Sequence, residues 1–257
     1  MKEKKYSVLT YVIGNYEIMH EIPQECINDE IEYIFVTDNH SLTSNTWTVV
    51  YCDDLTGSTF NKCYQIRFNP FNYVNTDMVM RIDGSMAINK DLMPLFKAFE
   101  STDADCMMMV HPTRNTMYDE YLAWVRTRNY PAEQADRILN FMYNNGYDVQ
   151  NYRGLFQYNF CIQRKSDIIN RLNAETFNLL VNLAPDGEDI ERLDQTVGSF
   201  VINTHYPTLK IFPTGQFICF DHYFRWCAHN TDKQMFYNSA NDIEPYIGNR
   251  PVTVYYV

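Results

Sequence analysis

Along the N-terminal half of the chain, short apolar runs alternate with polar breaks. Residues 6–13 are rich in β-branched and aromatic side chains and stop at Gly14-Asn15-Tyr16, which reads as a strand. Residues 31–37, stopped at Asp38-Asn39, and 46–51, stopped at Cys52-Asp53-Asp54, predict two more. Ser58 or Thr59 caps a helix that carries Lys62, Tyr64, Ile66 and Arg67 and breaks at Asn69-Pro70. A fourth strand covers 78–82. Leu92, Leu95, Phe96 and Phe99 recur at three- and four-residue spacing and predict a helix over 91–100.

The second half continues the alternation. Residues 105–110 read as a strand ending at His111-Pro112. Thr116 and Asp119 fit a capping box that opens a helix to about Arg128. Pro131 fits the first turn of another helix, which Gly146 ends. A strand over 155–163 follows, then a helix from Ser166 through Ile168, Ile169 and Leu172 to about Leu183. Pro185-Asp186-Gly187 starts one more, running to about Val201. From 204 the tail is irregular, with short apolar pieces at 209–212 and 216–220.

Strands alternating with helices define an α/β chain with a mixed, mostly parallel sheet flanked by helices. Ligands of such sheets sit at the carboxyl ends of the strands. Asn15, Asp38, Asp53, Asp54, Asp83 and His111 all end strands here. Polar residues end most strands, but their density makes this edge the leading site. Neither G-x-G-x-x-G nor G-K-[ST] occurs, which argues against a dehydrogenase or an ATPase.

Charge and cysteine content narrow the class. The net charge is −11 and the only basic run is residues 2–5, which argues against nucleic-acid binding through a basic face. The seven Cys are scattered without a C-x-x-C pair, so neither a zinc ribbon nor a disulfide framework is indicated, and reduced thiols in a cytoplasmic protein are expected. The apolar run at 6–13 is too short for a membrane span and lacks a cleavage pattern.

One stretch, residues 77–89, carries chemistry inside an apolar context. Asp83-Gly84-Ser85 interrupts two apolar runs, and a carboxylate there needs a partner: a metal, a hydroxyl or backbone N–H groups. Gly84 allows close approach of a ligand to the backbone. In an extended backbone Asp83 and Ser85 point the same way and offer Mg²⁺ or Mn²⁺ two oxygens beside a nucleotide. The alternative is an Asp-Gly turn at a strand end.

The order of elements, with an Asp-bearing fourth strand, is similar to nucleotide-sugar glycosyltransferases of the GT-A fold. Their Asp-x-Asp element is represented by Asp83-Gly84-Ser85, with Ser in the second acidic place. More specifically, the chain resembles a glycosyltransferase-like family of bacterial polysaccharide clusters and plant pectin and mucilage proteins. The matching pieces are Tyr11-Val-Ile-Gly-Asn-Tyr16, Tyr33-Ile-Phe-Val-Thr-Asp38, Trp47-Thr-Val, Arg81-Ile-Asp-Gly-Ser85, His111-Pro-Thr-Arg114, Tyr118-Asp-Glu120, Gly154-Leu155 and Leu193-Asp-Gln195. The chain departs from the family at Lys62, Gln65 and Arg67, where Arg and Lys are usual, and at Leu193, where Arg is usual. The tail beyond 203 does not align.

The resemblance implies a GT-A-like domain over 1–257, with 204–257 an extension packing near the site. It implies transfer of a sugar from a nucleotide diphosphate sugar, UDP-linked, to a saccharide or other hydroxyl acceptor in polysaccharide or glycan biosynthesis, with Mn²⁺ or Mg²⁺. Asp83, Ser85 and a late His, His222 or His229, are then metal candidates. Lys62 and Arg67 are diphosphate candidates or simply solvated charges. His111 and Arg114 contact phosphate or sugar, unless His111 is a structural histidine. Tyr11, Tyr16 and Asp38 lie where base and ribose sit, or pack at strand ends. Asp194 borders the apolar face of its helix beside Gly198, which leaves room for a ligand. With Gln195 it is the catalytic candidate, or else it forms an ion pair. Two competing readings stand: a catalytically idle sugar- or nucleotide-binding relative, which Ser85 keeps open, and a nucleotidyltransferase.

Overall fold

β1 (Tyr6–Val12) pairs in parallel with β2 (Ile31–Thr37) on one side and with β4 (Met78–Ile82) on the other, and β3 (Thr48–Tyr51) extends β2 in parallel. The computed structural model describes residues 3–111, 113–127, 132–184, 193–215, 223–227, 246–247 and 250–251. β7 (Phe156–Arg164) runs antiparallel between β4 and β6 (Cys106–Val110), and β8 (Ile211–Thr214) closes the far edge parallel to β6. The strand order is β3-β2-β1-β4-β7-β6-β8. Four of the six pairings are parallel, so the sheet is mixed and mostly parallel. Because β6 and β4 share a direction, the carboxyl ends of β1, β2, β4 and β6 meet at one edge.

The two-residue period of the strands separates two packed faces. On β6, Met107 and Met109 join Phe96 and Phe99 of α2 (Met93–Glu100). Cys106, Met108 and Val110 join the opposite layer, which contains α4 (Ala132–Asn144), α5 (Asp167–Leu183) and α6 (Leu193–His205). α1 (Thr59–Phe68) lies on that second face above β1 and β4, where Ile66 packs with Leu9, Tyr11 and Val79.

Local signals set the helix starts. Ser58 Oγ accepts the Asn61 N–H at 3.2 Å and Ser166 Oγ accepts that of Ile169 at 3.4 Å. At α3 (Met117–Thr127) the capping box closes from both sides: Asp119 N–H donates to Thr116 Oγ1 and Thr116 N–H to Asp119 Oδ2, each at 3.0 Å. Gly146, at φ 79°, follows α4 in the left-handed region that suits glycine.

The tail departs from the irregular reading. Ile211 and Phe212 fall within β8 and pair with Cys106 and Met107, and β9 (Phe224–Trp226) pairs antiparallel with β5 (Met86–Ile88). An apolar segment at an open sheet edge gains both ladder bonds and burial. β10 (Tyr246–Ile247) and β11 (Arg250–Pro251) form a further antiparallel pair. The helix start expected at 185–187 and the apolar piece at 216–220 lie outside the described residues. No described helix is long and apolar enough to cross a membrane, and the six described cysteines are free.

One irregularity bears on the site. Between Met108 and Met109 the pairing on β7 jumps from Cys161 to Gln157, leaving Tyr158, Asn159 and Phe160 without partners on β6. This bulge turns Tyr158 toward α1 and α6, where it meets Phe68 and Gly198, while the Asn159 carbonyl accepts the Asp83 N–H at 3.0 Å. Bulges re-aim side chains in this way beside functional sites.

Candidate functional site

Parallel pairing puts Leu9 opposite Arg81. Two residues further along each strand, on the same face, come Tyr11 and Asp83. Arg67, in the last turn of α1, reaches down between them. Its Nε donates to Tyr11 Oη at 2.5 Å, its Nη2 to Asp83 Oδ1 at 2.5 Å, and its Nη1 pairs with Asp194 Oδ2 from the first turn of α6. The guanidinium is therefore a three-way hub joining β1, β4 and α6. Asp194 is buried, with its side chain 3% exposed, whereas that of Asp83 is 30% exposed. Burial pushes the Tyr11 hydroxyl up to about 12, against the pull of Arg67. Burial also opposes charge on Arg67, yet Tyr11 and Asp83 hold its pKa above the ordinary value. Tyr11 is thus a neutral acceptor for the Arg67 Nε–H, and Arg67 a fixed cation.

A second cluster stands at the end of β6. The Arg114 guanidinium touches His111 Nε2, with Nη2 at 2.6 Å, and its Nε lies 2.7 Å from Glu120 Oε2. The backbone N–H groups of Thr113 and Arg114 point at His111 Nδ1, at 3.3 and 3.1 Å. A neutral imidazole accepts at only one nitrogen, so the fully buried Glu120 carboxylate is the firmer anchor of Arg114. Gln195 Nε2 donates to Glu120 Oε1 at 3.3 Å. Asp194 and Gln195 are adjacent, about 100° apart around the helix, so the start of α6 touches both clusters.

The structure thus brings Tyr11, Arg67, Asp83 and Asp194 together, and Gln195 with His111 and Arg114. The others lie apart from these contacts. Asp38 ends β2 and accepts the Gly14 N–H at 2.9 Å, while Asn39 Nδ2 donates to Asn15 Oδ1 at 2.7 Å, so this pair ties the loop after β1 to the loop after β2. Tyr16 stands on that loop, 47% exposed. Lys62 precedes Arg67 by five residues, about 140° around α1, and faces the Cys52 and Asp38 side. His229, His222, Pro112 and Asp186 lie outside the described residues.

Two expectations about space are corrected. A Cβ on Gly198 would stand 2.2 Å from Tyr158 Oη, so the room beside Asp194 is filled by a ring, not left for a ligand. A Cβ on Gly84 would stand 2.7 Å from Val12 Cγ2 and 2.9 Å from the Tyr11 carbonyl oxygen. The backbone that Gly84 approaches closely is β1.

The donor set for a divalent metal follows from the turn at 83–86. Met86 N–H donates to the Asp83 carbonyl at 3.0 Å, so the backbone does not stay extended and the two side chains part. Asp83 meets Arg67, and Ser85 is buried, its Oγ accepting the Trp226 indole N–H at 3.1 Å. Among the described residues no three His, Cys, Asp or Glu side chains stand together as a metal group. These residues, as arranged, do not fit a protein-held metal.

Glu120 and Arg81 were not singled out from the sequence as functional residues. Glu120 follows Met117 by three residues, so helical spacing from an apolar anchor was its signal. Arg81 is a charge inside a strand whose five residues are all buried.

No protein-family model matches the chain, and no curated protein sequence matches it. Among solved structures, the chain is similar to mouse xyloside xylosyltransferase 1 in its apo form. The TM-score is 0.47 at 10% identity, covering 80% of this chain and 84% of that one.

Proposed function

We propose that the chain is a glycosyltransferase of GT-A type, moving a sugar from a nucleotide diphosphate sugar, UDP-linked, to a saccharide or other hydroxyl acceptor in polysaccharide or glycan biosynthesis. The observation that carries this reading is the Arg67 hub, a buried guanidinium held by Tyr11, Asp83 and Asp194 at the carboxyl edge of a mostly parallel sheet. Sugar transfer needs the leaving diphosphate to be neutralised, and a fixed guanidinium fork suits phosphate oxygens. Tyr11, Tyr16 and Asp38 border the base and ribose, with Lys62 at the outer rim. His111, Arg114 and Gln195 face the transferred sugar and the acceptor hydroxyl. Asp194 fixes Arg67 and acts on the reacting groups through that guanidinium.

A thermal-shift panel of nucleotide sugars, free sugars and nucleoside triphosphates tests this. A ligand binding only the folded state raises its stability by about 2.7 kcal/mol at a hundredfold excess over Kd. Stabilisation by a nucleotide sugar is expected. Stabilisation by free sugar alone would favour an idle binding protein, and by triphosphate alone a nucleotidyltransferase. With the donor so identified, Asp194→Asn should lower kcat by about 10²-fold. Unchanged kcat in a folded variant would remove Asp194 from the reaction.

A further inference from the structure

Resting on the glycosyl-transfer reading, we propose that the donor's diphosphate is bound without a divalent metal, by Arg67 itself, and that the diphosphate takes the place of the Asp83 carboxylate on that guanidinium. Arg67 sits where a cation between Asp83 and Asp194 would sit. The second position of the Asp-Gly-Ser element is a hydroxyl already engaged by Trp226.

Charge supports the same assignment. Arg81, two residues before Asp83 on the same strand face, is 3% exposed. Its Nη1 donates to the Tyr158 carbonyl at 2.8 Å, and among the described residues its Nε has no hydrogen-bond partner and its guanidinium no carboxylate in ion-pair reach. The Tyr158 ring, 5.8 Å from its Cζ, and the Tyr158 carbonyl are its neighbours instead. Arg67 alone pairs with both Asp83 and Asp194, and Arg81 adds a second positive charge on the same strand face, so the resting carboxylates need no added cation. Both arginines also act on the Tyr11 hydroxyl.

The exchange follows from exposure. Asp194 and Tyr11 are buried and hold Arg67 in place. Asp83, 30% exposed, is the partner that solvent and ligand reach. A phosphate oxygen replacing it at Nη2 keeps the guanidinium paired. Of the five N–H donors of an arginine, three are engaged by Tyr11, Asp83 and Asp194, and two remain for the second phosphate.

The test is calorimetry of uridine, guanosine and adenosine diphosphates against the wild-type chain, with Mn²⁺ and with EDTA. Affinity for one of them should agree within twofold in the two buffers. Asp83→Asn should bind it in EDTA at least as tightly as wild type. Arg67→Lys and Arg67→Gln should lose tenfold or more, with melting temperature read alongside. A tenfold gain on adding Mn²⁺, or loss of binding in Asp83→Asn, would overturn the proposal and leave the glycosyltransferase reading standing. If none of the three binds in either buffer, both fall.

Discussion

At the residue scale, Gly198 has no room for a side chain. Any Cβ there collides with the Tyr158 ring, 2.2 Å from Oη and 2.3 Å from Cζ. That ring is itself wedged against Phe68 and stands 5.8 Å from the Arg81 guanidinium. The neighbour is therefore a rigid ring in a packed layer, not the free end of a flexible chain. Gly198→Ala should destabilise the fold by about 1–3 kcal/mol, the usual cost of overpacking, read as a lower urea midpoint with unchanged slope. An unchanged midpoint would mean the layer yields freely. The sequence marked Gly198 as special but not its occupant, because Tyr158 is distant in the chain and is aimed by a bulge. The charged residues divide in the same way. Asp83 was legible as a carboxylate between apolar runs and Asp194 as one bordering an apolar helix face, while Arg67 read as a helix charge, diphosphate-binding or solvated; their meeting at one guanidinium depends on β1–β4 register and on the placement of α6.

At the element scale, starts and stops were read where a side chain makes a local bond. Ser58, Ser166 and the Thr116–Asp119 pair act within one turn, so sequence spacing suffices to find them. β8 and β9 were not read, because each is short and finds its partner, β6 or β5, far away in the chain. The antiparallel course of β7 was equally hidden, since an isolated apolar run carries no direction. α3 matters most for the site, because its first turn carries Glu120 and its cap follows the loop that carries His111 and Arg114. Thr116→Ala should cost about 1 kcal/mol and speed amide exchange in the first turn of α3 while leaving exchange in β4 unchanged. Equal exchange in α3 would show that the Arg114–Glu120 pair, not the cap, holds that turn.

At the scale of the whole molecule, the sheet collects polar strand ends from separate parts of the chain onto one edge. Parallel β1, β2 and β4 bring Asp38, Tyr11 and Asp83 there, β6 brings His111, and α6 lays Asp194 and Gln195 across the gap between the two charged clusters. A nucleotide sugar lying along this edge would place its base by β1 and β2, its diphosphate at Arg67 and its sugar toward Arg114. The direct measurement is a crystal structure of the chain with bound uridine diphosphate sugar, read for the position of the diphosphate. Phosphate oxygens about 3 Å from the Arg67 Nη atoms, with Asp83 turned away and Asp194 still paired, is the predicted result. A nucleotide ordered elsewhere, with Arg67 still bridging Asp83 and Asp194, would contradict it.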